Sequence, residues 1–497
     1  MHIIQISSEL TPIAKVGGLG DVVYGLSKEL IKQGHQVQII LPKYDCIDYS
    51  LLKNLKVHYQ DLWSYDGPYK YHNTIWSAEV ENLSILLVEP HHPNYFFSRG
   101  LIYGAKDDAD RFLYFSRTVM EFLFKSNSTA DILHIHDWPT AIIPLLQTDM
   151  YTALNFRAKK TVLTIHNLEH QGKCSAENLT KIGLKGSSYL SPNKLQDPND
   201  PNAINLLKGG ISYASAVTTV SPSYEKEIKL DEFSCGLGAC IRSHEKKITG
   251  ILNGVDENFW NPEIDPYITK KFPSHPPFSE EKWEMVQKGK EENKKELQSL
   301  LGLENRKTPL IACIARLVPQ KGPLLIAHAF RHALSKGAQF VILGSTYSEE
   351  MTNLFAFLLS ECSSSFPNQG AICLSYNEKL SHLIYAASDM FIVPSLFEPC
   401  GLTQMIALRY GSVPIVRNTG GLGDTVFDIH TASCPPKERN GFVFEKPEKE
   451  ELNLTIDRAL EIYHQNQSRW QELMQQGLSK NYTWKNSAEK YVKIYNE

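Results

Sequence analysis

The sequence predicts an α/β protein built on parallel β-sheets, arranged as two successive halves. Three observations carry that prediction. In each half, short apolar strands alternate with amphipathic helices, the pattern required by parallel sheets with covered faces. The pentapeptide Gly-Gly-Leu-Gly-Asp occurs at 17–21 and again at 420–424, each time between a strand and a helix. A chain of 497 residues with 42% hydrophobic content can also bury more than one large core. Length alone admits two doubly wound domains of about 240 residues or three smaller ones.

The first half opens with HIIQIS (2–7), a β-rich run. DVVYGLSKELIKQGH (21–35) follows, with Val22, Val23, Leu26, Leu30 and Ile31 near helical spacing and Gly34 as its stop. QVQIILP (36–42) completes a βαβ unit whose first turn holds the glycines. NLSILLVEP (82–90), ADILHIH (130–136), KTVLTIH (160–166) and SAVTTVS (215–221) are further strands. A break falls near 245–255, where KKITGILNGVDENFW passes through two glycines. The highly charged EEKWEMVQKGKEENKKELQSLLGL (280–303) is expected to be a solvated helix.

The second half restarts the pattern. PLIACIA (309–315), AQFVILG (338–344), GAICLSY (370–376), DMFIVPS (389–395) and SVPIVRN (412–418) read as strands, with helices such as PLLIAHAFRHALSKG (323–337) between them. The second pentapeptide precedes a helix expected to begin near Asp424, and TWKNSAEKYVKIYNE (483–497) is a last amphipathic helix.

Composition excludes several classes. A net charge of −4 gives no basic surplus for nucleic acid or an anionic membrane. No 18-residue apolar run is present, and MHIIQISSEL lacks the pattern of a signal peptide. Nine scattered cysteines without a C-x-x-C pair fit a reducing, cytoplasmic setting and no zinc site.

Adjacent glycines at a strand-to-helix turn let a ligand approach the backbone, and the helix N-terminus offers N–H groups to an anion. A dinucleotide fingerprint fails, because Val23 stands where the third glycine belongs and Leu41-Pro42-Lys43 supplies no acid. The Walker pattern is also missing. ARLVPQKG (315–322) puts Arg316 and Lys321 just after a strand, where open α/β sheets collect ligands. With Lys15 they would suit a diphosphate. ILHIHDWP places His136 and Asp137 at one strand end, and VLTIHN places His166 and Asn167 at the next. His-x-His-Asp resembles metal spacing, but strand alternation turns His134 and His136 away from Asp137. Core histidines or a polar sugar pocket are the other readings. In SLFEPCGLTQMIALRYG (395–411), Glu398 sits at a strand end before a helix opened by Gly401 and Thr403. It is either a sugar-facing carboxylate or a first-turn acid.

KVGGLGD, HDW, TIHNLEHQG, INLLKGGISYASAVTTVSP, GILNGVDENFWNP, ARLVPQKG and VPSLFEPCGLTQMIALRYGSVPIVRNTGGLGDTV occur in order between residue 2 and about residue 490. These segments resemble the bacterial glycogen synthase and plant starch synthase family. The resemblance implies two Rossmann-like, doubly wound domains facing each other across a cleft, the GT-B arrangement. It places an acceptor and catalytic domain at 1–248, a nucleotide-sugar domain at 249–480, and a helix returning to the first domain at 481–497. The implied reaction is retaining and metal-independent, with no resident cofactor. Glucose passes from ADP-glucose, with UDP-glucose left open, to the non-reducing 4-OH of glycogen or a maltooligosaccharide.

By matching motif, the resemblance gives Lys15, Gly17 and Gly18 to the donor phosphates, with Arg316, Lys321, Thr419, Gly420 and Gly421 from the other half. The two glycine turns would act as paired jaws on one donor. Tyr376 would pack near the base. Asp21, Asp137, His166, Asn167 and Asn253 would border glucose or acceptor, and Glu398, Cys400, Gly401, Leu402 and Thr403 would lie near the sugar. Lys15, His166, Arg316, Lys321 and Glu398 form the expected catalytic set. The chain departs from the family at Pro139, where a histidine is common, and at Ile406, where related families carry a second glutamate. Two rivals remain: a glucan-binding protein using the aromatics of 63–76 and 94–97, and a PLP-dependent phosphorylase.

Overall fold

The computed structural model describes residues 1–346, 348–431 and 433–497. At its start, β1 (His2–Ile6) and β2 (Gln36–Pro42) lie parallel, joined by the helix Gly18–Lys32. The chain continues through β3 (Lys53–Asp66), β4 (Tyr69–Val80), β5 (Leu83–Pro90), β6 (Ile132–His136) and β7 (Lys160–Ile165). A small antiparallel pair, β8 (Lys173–Cys174) and β9 (Ile204–Asn205), precedes β10 (Ala216–Thr219) and β11 (Ile248–Gly250). Among the described residues these form a nine-stranded sheet in the order β11-β10-β7-β6-β1-β2-β5-β4-β3.

Seven of the nine strands pair in parallel, as the alternating pattern requires; β3 and β4 form an antiparallel hairpin that joins through β5. That hairpin was not predicted. β3 is an edge strand exposed along nearly its whole length, so no inward-facing alternation marks it in the sequence.

The chain divides into two units, Met1–Gly254 with Trp484–Glu497, and Val255–Thr483. A break after residue 248 would cut β11, whose residues pair with Val217–Thr219 of β10 and so stay with the first sheet. The helix Trp484–Asn496 belongs to the first unit. A side chain on Gly25 would collide with the Trp484 indole, Tyr495 Oη bonds His134 Nδ1 at 2.8 Å, and Lys160 Nζ donates to the Ile494 carbonyl at 2.6 Å.

The second unit holds β12 (Leu310–Arg316), β13 (Gln339–Ser345), β14 (Gly370–Cys373), β15 (Met390–Val393), β16 (Val413–Arg417) and β17 (Phe442–Phe444). They form an all-parallel sheet in the order β14-β13-β12-β15-β16-β17. Ile311, Phe340, Ile392 and Ile415 pack in its core against Phe330 and Ile456 of covering helices. Crossovers between parallel strands bring the loops after β12, β15 and β16 to one end of the sheet, which positions the residues discussed below.

One expectation is corrected. The helix Glu280–Leu300 is not solvated all round; Trp283, Val286, Lys290, Lys294 and Leu297 are buried on one face. Lysines occupy part of that stripe, which hides its period. Lys290 Nζ donates to the Tyr410 carbonyl at 3.0 Å and contacts Ser412 Oγ at 3.2 Å, while Lys294 pairs with Asp389 at 2.6 Å. Burial brings the Lys290 ammonium down to about 7. Among the described residues, no helix is long and apolar enough to cross a membrane.

Candidate active site

In the first unit, the expected residues lie where β1, β6, β7 and β11 end. Both glycine motifs start their helices earlier than the sequence suggested. Gly17 is the N-cap of the helix Gly18–Lys32, and the second copy forms the six-residue helix Gly420–Thr425 after Thr419 rather than beginning near Asp424. A methyl group built on Gly17 or Gly18 would meet nothing within 4 Å. No packing inside the protein therefore demands glycine there, and the open space is what a ligand approaching the backbone requires.

This turn is tied down by a residue the sequence reading missed. Oε2 of buried Glu9 accepts from the backbone N–H groups of Val16 and Gly17 at 2.7 and 2.9 Å, and its Oε1 accepts from Tyr103 Oη at 2.9 Å. Lys15 Nζ lies 2.7 Å from Oδ1 of Asp21, which also accepts from Thr11 Oγ1 at 2.8 Å. Lys15 and Asp21 thus form a cation–acid pair at the head of a 15-residue helix.

Asp137 begins a short helix with φ of +53°, a left-handed conformation that aspartate tolerates better than most residues. Its Oδ1 accepts from the His166 N–H at 2.7 Å. Burial pushes its carboxyl up to about 8, against the pull of the His166 and Asn167 N–H groups. Burial thus favours the protonated acid at Asp137, the form that can donate to a hydroxyl. Asn167 Oδ1 accepts from the Glu169 N–H at 3.0 Å. Asn253 lies just past β11, 5% exposed, and among the described residues its Oδ1 has no hydrogen-bond partner.

Behind these groups runs a buried chain. Gln5 Oε1 lies 2.7 Å from His136 Nε2, and His136 Nδ1 lies 3.0 Å from His166 Nε2. Burial lowers His134 and His166 to about 3 and His136 well below its ordinary value, so all three rings are neutral. An amide oxygen can only accept, so His136 carries its proton on Nε2 and accepts on Nδ1. His166 must then donate from Nε2, which leaves its Nδ1 lone pair for a substrate hydroxyl. The signal was present in HIIQIS: a glutamine set among isoleucines in a buried strand. Gln5→Leu is expected to lower kcat about 10–100-fold by releasing this tautomer, and Gln5→Glu to restore most of it. Imidazole ¹⁵N shifts of His166 check it; an unchanged tautomer with unchanged kcat would refute the relay.

The His134-x-His136-Asp137 stretch does not form a ligand cluster. His134 Nε2 bonds Thr164 Oγ1 at 2.7 Å, and among the described residues no group of three or more His, Cys, Asp or Glu is placed to hold a metal ion.

In the second unit, Arg316 ends β12, and Lys321 follows in a short turn. Lys321 Nζ is ion-paired with Oε2 of Glu398, which is 5% exposed and also accepts from Ser395 Oγ at 2.9 Å. Ser395 was not predicted. The Glu398 carbonyl accepts from the Gly421 N–H at 3.0 Å. A side chain on Gly421 would run into the Cys400 carbonyl, so here glycine is required by packing. The loop 398–401 and the turn at Thr419, Gly420 and Gly421 are therefore one assembly. Gly401 has φ of +72°, and the helix Thr403–Arg409 starts after Leu402 as expected. Tyr376, beyond β14, is 57% exposed. Glu398 is thus not a first-turn helix acid; it anchors a lysine.

The two pentapeptides are alike in position and different in build. The first leaves empty space at a long helix, and the second packs against its neighbouring loop at a short one.

The family described as starch synthase catalytic domain matches residues 2–243, and that described as glycosyl transferases group 1 matches residues 294–475. A glycogen synthase of Protochlamydia amoebophila is 47% identical over 503 residues, covering 100% of this chain and 99% of that one. Glycogen synthase 1 of Trichormus variabilis is 43% identical over 500 residues, with 100% and 99% covered. The catalytic domain of starch synthase IV from Arabidopsis thaliana, bound to ADP and acarbose, has a TM-score of 0.94 at 42% identity over 100% of this chain and 98% of that one. A sucrose-phosphate synthase from Thermosynechococcus elongatus, at TM-score 0.60 and 14% identity over 100% and 98%, shares the fold.

Proposed function

The chain belongs to the glycogen synthase and starch synthase family of glucosyltransferases, and from that premise we propose that it takes glucose from ADP-glucose to the non-reducing 4-OH of an α-1,4-glucan. Its donor is a nucleotide sugar and its acceptor a glucan; the choice of ADP-glucose is supported by the ADP bound to the Arabidopsis relative. The acceptor is glycogen or a maltooligosaccharide, and no nucleic acid or membrane takes part. All nine cysteines are free thiols, which supports work in the cytoplasm.

The chemistry sets the roles. As the C1–O bond to the diphosphate breaks, negative charge grows on the leaving oxygen and positive charge on the sugar ring. Arg316 offers a planar fork to phosphate oxygens, Lys321 a point charge, and Lys15 with Gly17 and Gly18 a further cation and open backbone N–H groups. In this reading these cations carry the leaving group's charge, with no resident metal or cofactor. Tyr376 packs on the base. The acceptor 4-OH attacks from the face the diphosphate leaves and passes its proton to the departing phosphate oxygen, which retains the configuration. His166 Nδ1 accepts from a sugar hydroxyl and Asp137, its carboxyl raised by burial, bonds another, with Asp21, Asn167 and Asn253 beside them. Glu398 fixes Lys321 and faces the sugar, and Cys400, Gly401, Leu402 and Thr403 shape the loop around it.

The observation that best supports the reading is the pair of half-buried Lys321 with buried Glu398, locked to the Gly420-Gly421 turn. Its test is a side-by-side rate measurement with ADP-glucose and UDP-glucose on a maltooligosaccharide. ADP-glucose is expected to give a kcat/KM at least about tenfold higher, the discrimination that about 1.4 kcal/mol of differential binding supplies. Equal or faster use of UDP-glucose overturns the donor assignment. Binding of glycogen without nucleotide release from either donor overturns the enzyme.

A further inference from the structure

A cavity of about 310 Å³ lies within the second unit, with neither Lys321 nor Glu398 in its lining, walled by Arg409, Lys480, His275, Glu257, Met405 and Leu478. Arg409 closes the helix Thr403–Arg409, and its guanidinium is the unusual feature. Among the described residues, its Nε and Nη2 are buried without any hydrogen-bond acceptor. Burial pulls the guanidinium below its ordinary range, and the carboxylates of Glu257 and Glu263 offset only part of that. A second cation stands in the same wall. Lys480 is half-buried, lowered by burial, with its ammonium 5.2 Å from the centre of the Phe427 ring.

Two buried guanidinium nitrogens without acceptors are unfavourable, and what relieves them is an oxyanion. A planar fork and a nearby ammonium together match phosphate oxygens better than a single carboxylate. Met405 and Leu478 add an apolar side, and the volume lies in the range of small-molecule sites. The geometry points to a binding site for a small phosphate-bearing molecule, held by Arg409 and Lys480 and separate from the donor phosphates. It does not depend on which nucleotide sugar is used. Val255 and Thr483, the first and last residues of the unit, also line this cavity and are bridged to each other, with the Val255 N–H 2.7 Å from the Tyr482 carbonyl.

The test is thermal unfolding of the full chain in sodium phosphate and in glycerol phosphate, each against sodium chloride of equal ionic strength. The variants are Arg409→Leu, Lys480→Gln and, as a donor-side control, Arg316→Gln. The unaltered protein and Arg316→Gln are expected to gain about 1–3 °C in Tm, saturably, at tenfold the dissociation constant. Arg409→Leu and Lys480→Gln should weaken the apparent affinity at least tenfold, with Arg409→Leu no less stable than the parent in chloride, since leucine removes two buried N–H groups that have no acceptor. A response to both phosphates assigns the site to the phosphate group itself; a response to glycerol phosphate alone assigns it to an organic monoester. The proposal fails if phosphate does no more than chloride, if both cavity variants respond like the parent, or if the response is lost in Arg316→Gln and kept in them.

Discussion

Lys321→Ala is expected to slow glucosyl transfer about 10²–10³-fold, equivalent to about 3–4 kcal/mol of the barrier, as when an oxyanion donor is removed. The size follows from how the ammonium is held. Lys321 does not wave from a surface; a buried carboxylate grips it, and that carboxylate is gripped in turn by Ser395 and carried on the loop joined to Gly421. A cation fixed before the donor arrives needs no reorganisation when charge builds on the leaving oxygen, which is why its loss falls on kcat. The substitution also strands Glu398 in a site that hides it from water, so part of the loss could come from unfolding. A Tm within a few degrees of the parent and unchanged glycogen binding would separate the two. Turnover within about threefold of the parent would remove Lys321 from the reaction, because less than about 0.7 kcal/mol would then be at stake.

The alternation of strands and helices, and the turns that join them, could be read from the chain because each is a local pattern. β6, β7, β12 and β15 are apolar runs, and their ends carry the motifs. What could not be read were features that depend on distant partners. The hairpin β3–β4 has little buried alternation, and Lys290 looks like a surface charge until its helix is packed. The expected site residues were chosen at strand ends, and several do meet there: Lys15 with Asp21, Asp137 with His166, Lys321 with Glu398. Their supports escaped notice. Gln5, Glu9 and Ser395 carry no motif, and each matters only through a hydrogen bond to something remote or across a turn. Glu398 was legible as a residue and not as a partner, since nothing in FEPCG names the lysine it holds.

Glu398→Gln is expected to lower kcat about 10²-fold while shifting the KM for glucan by less than about threefold, again on the scale of a lost charged contact at the reacting centre. Glutamine keeps the shape and can still accept from Ser395, so the substitution removes charge and little else. Two separate effects of that charge are then open to measurement. One is anchorage of Lys321; the other is stabilisation of the cationic sugar as the diphosphate leaves. Anchorage alone predicts that Glu398→Gln changes nothing once Lys321 is already alanine, because the group to be anchored is gone. A role toward the sugar predicts a further loss in that background. The side chains are in direct contact, so the two losses should combine less than additively, and the shortfall measures the anchoring part. The expected result is a double variant slower than Lys321→Ala by at least about tenfold, or about 1.4 kcal/mol, yet faster than the product of the two single effects. Near-parental turnover in Glu398→Gln would make the carboxylate a bystander, and with it the reading of the 395–403 loop as the sugar's wall.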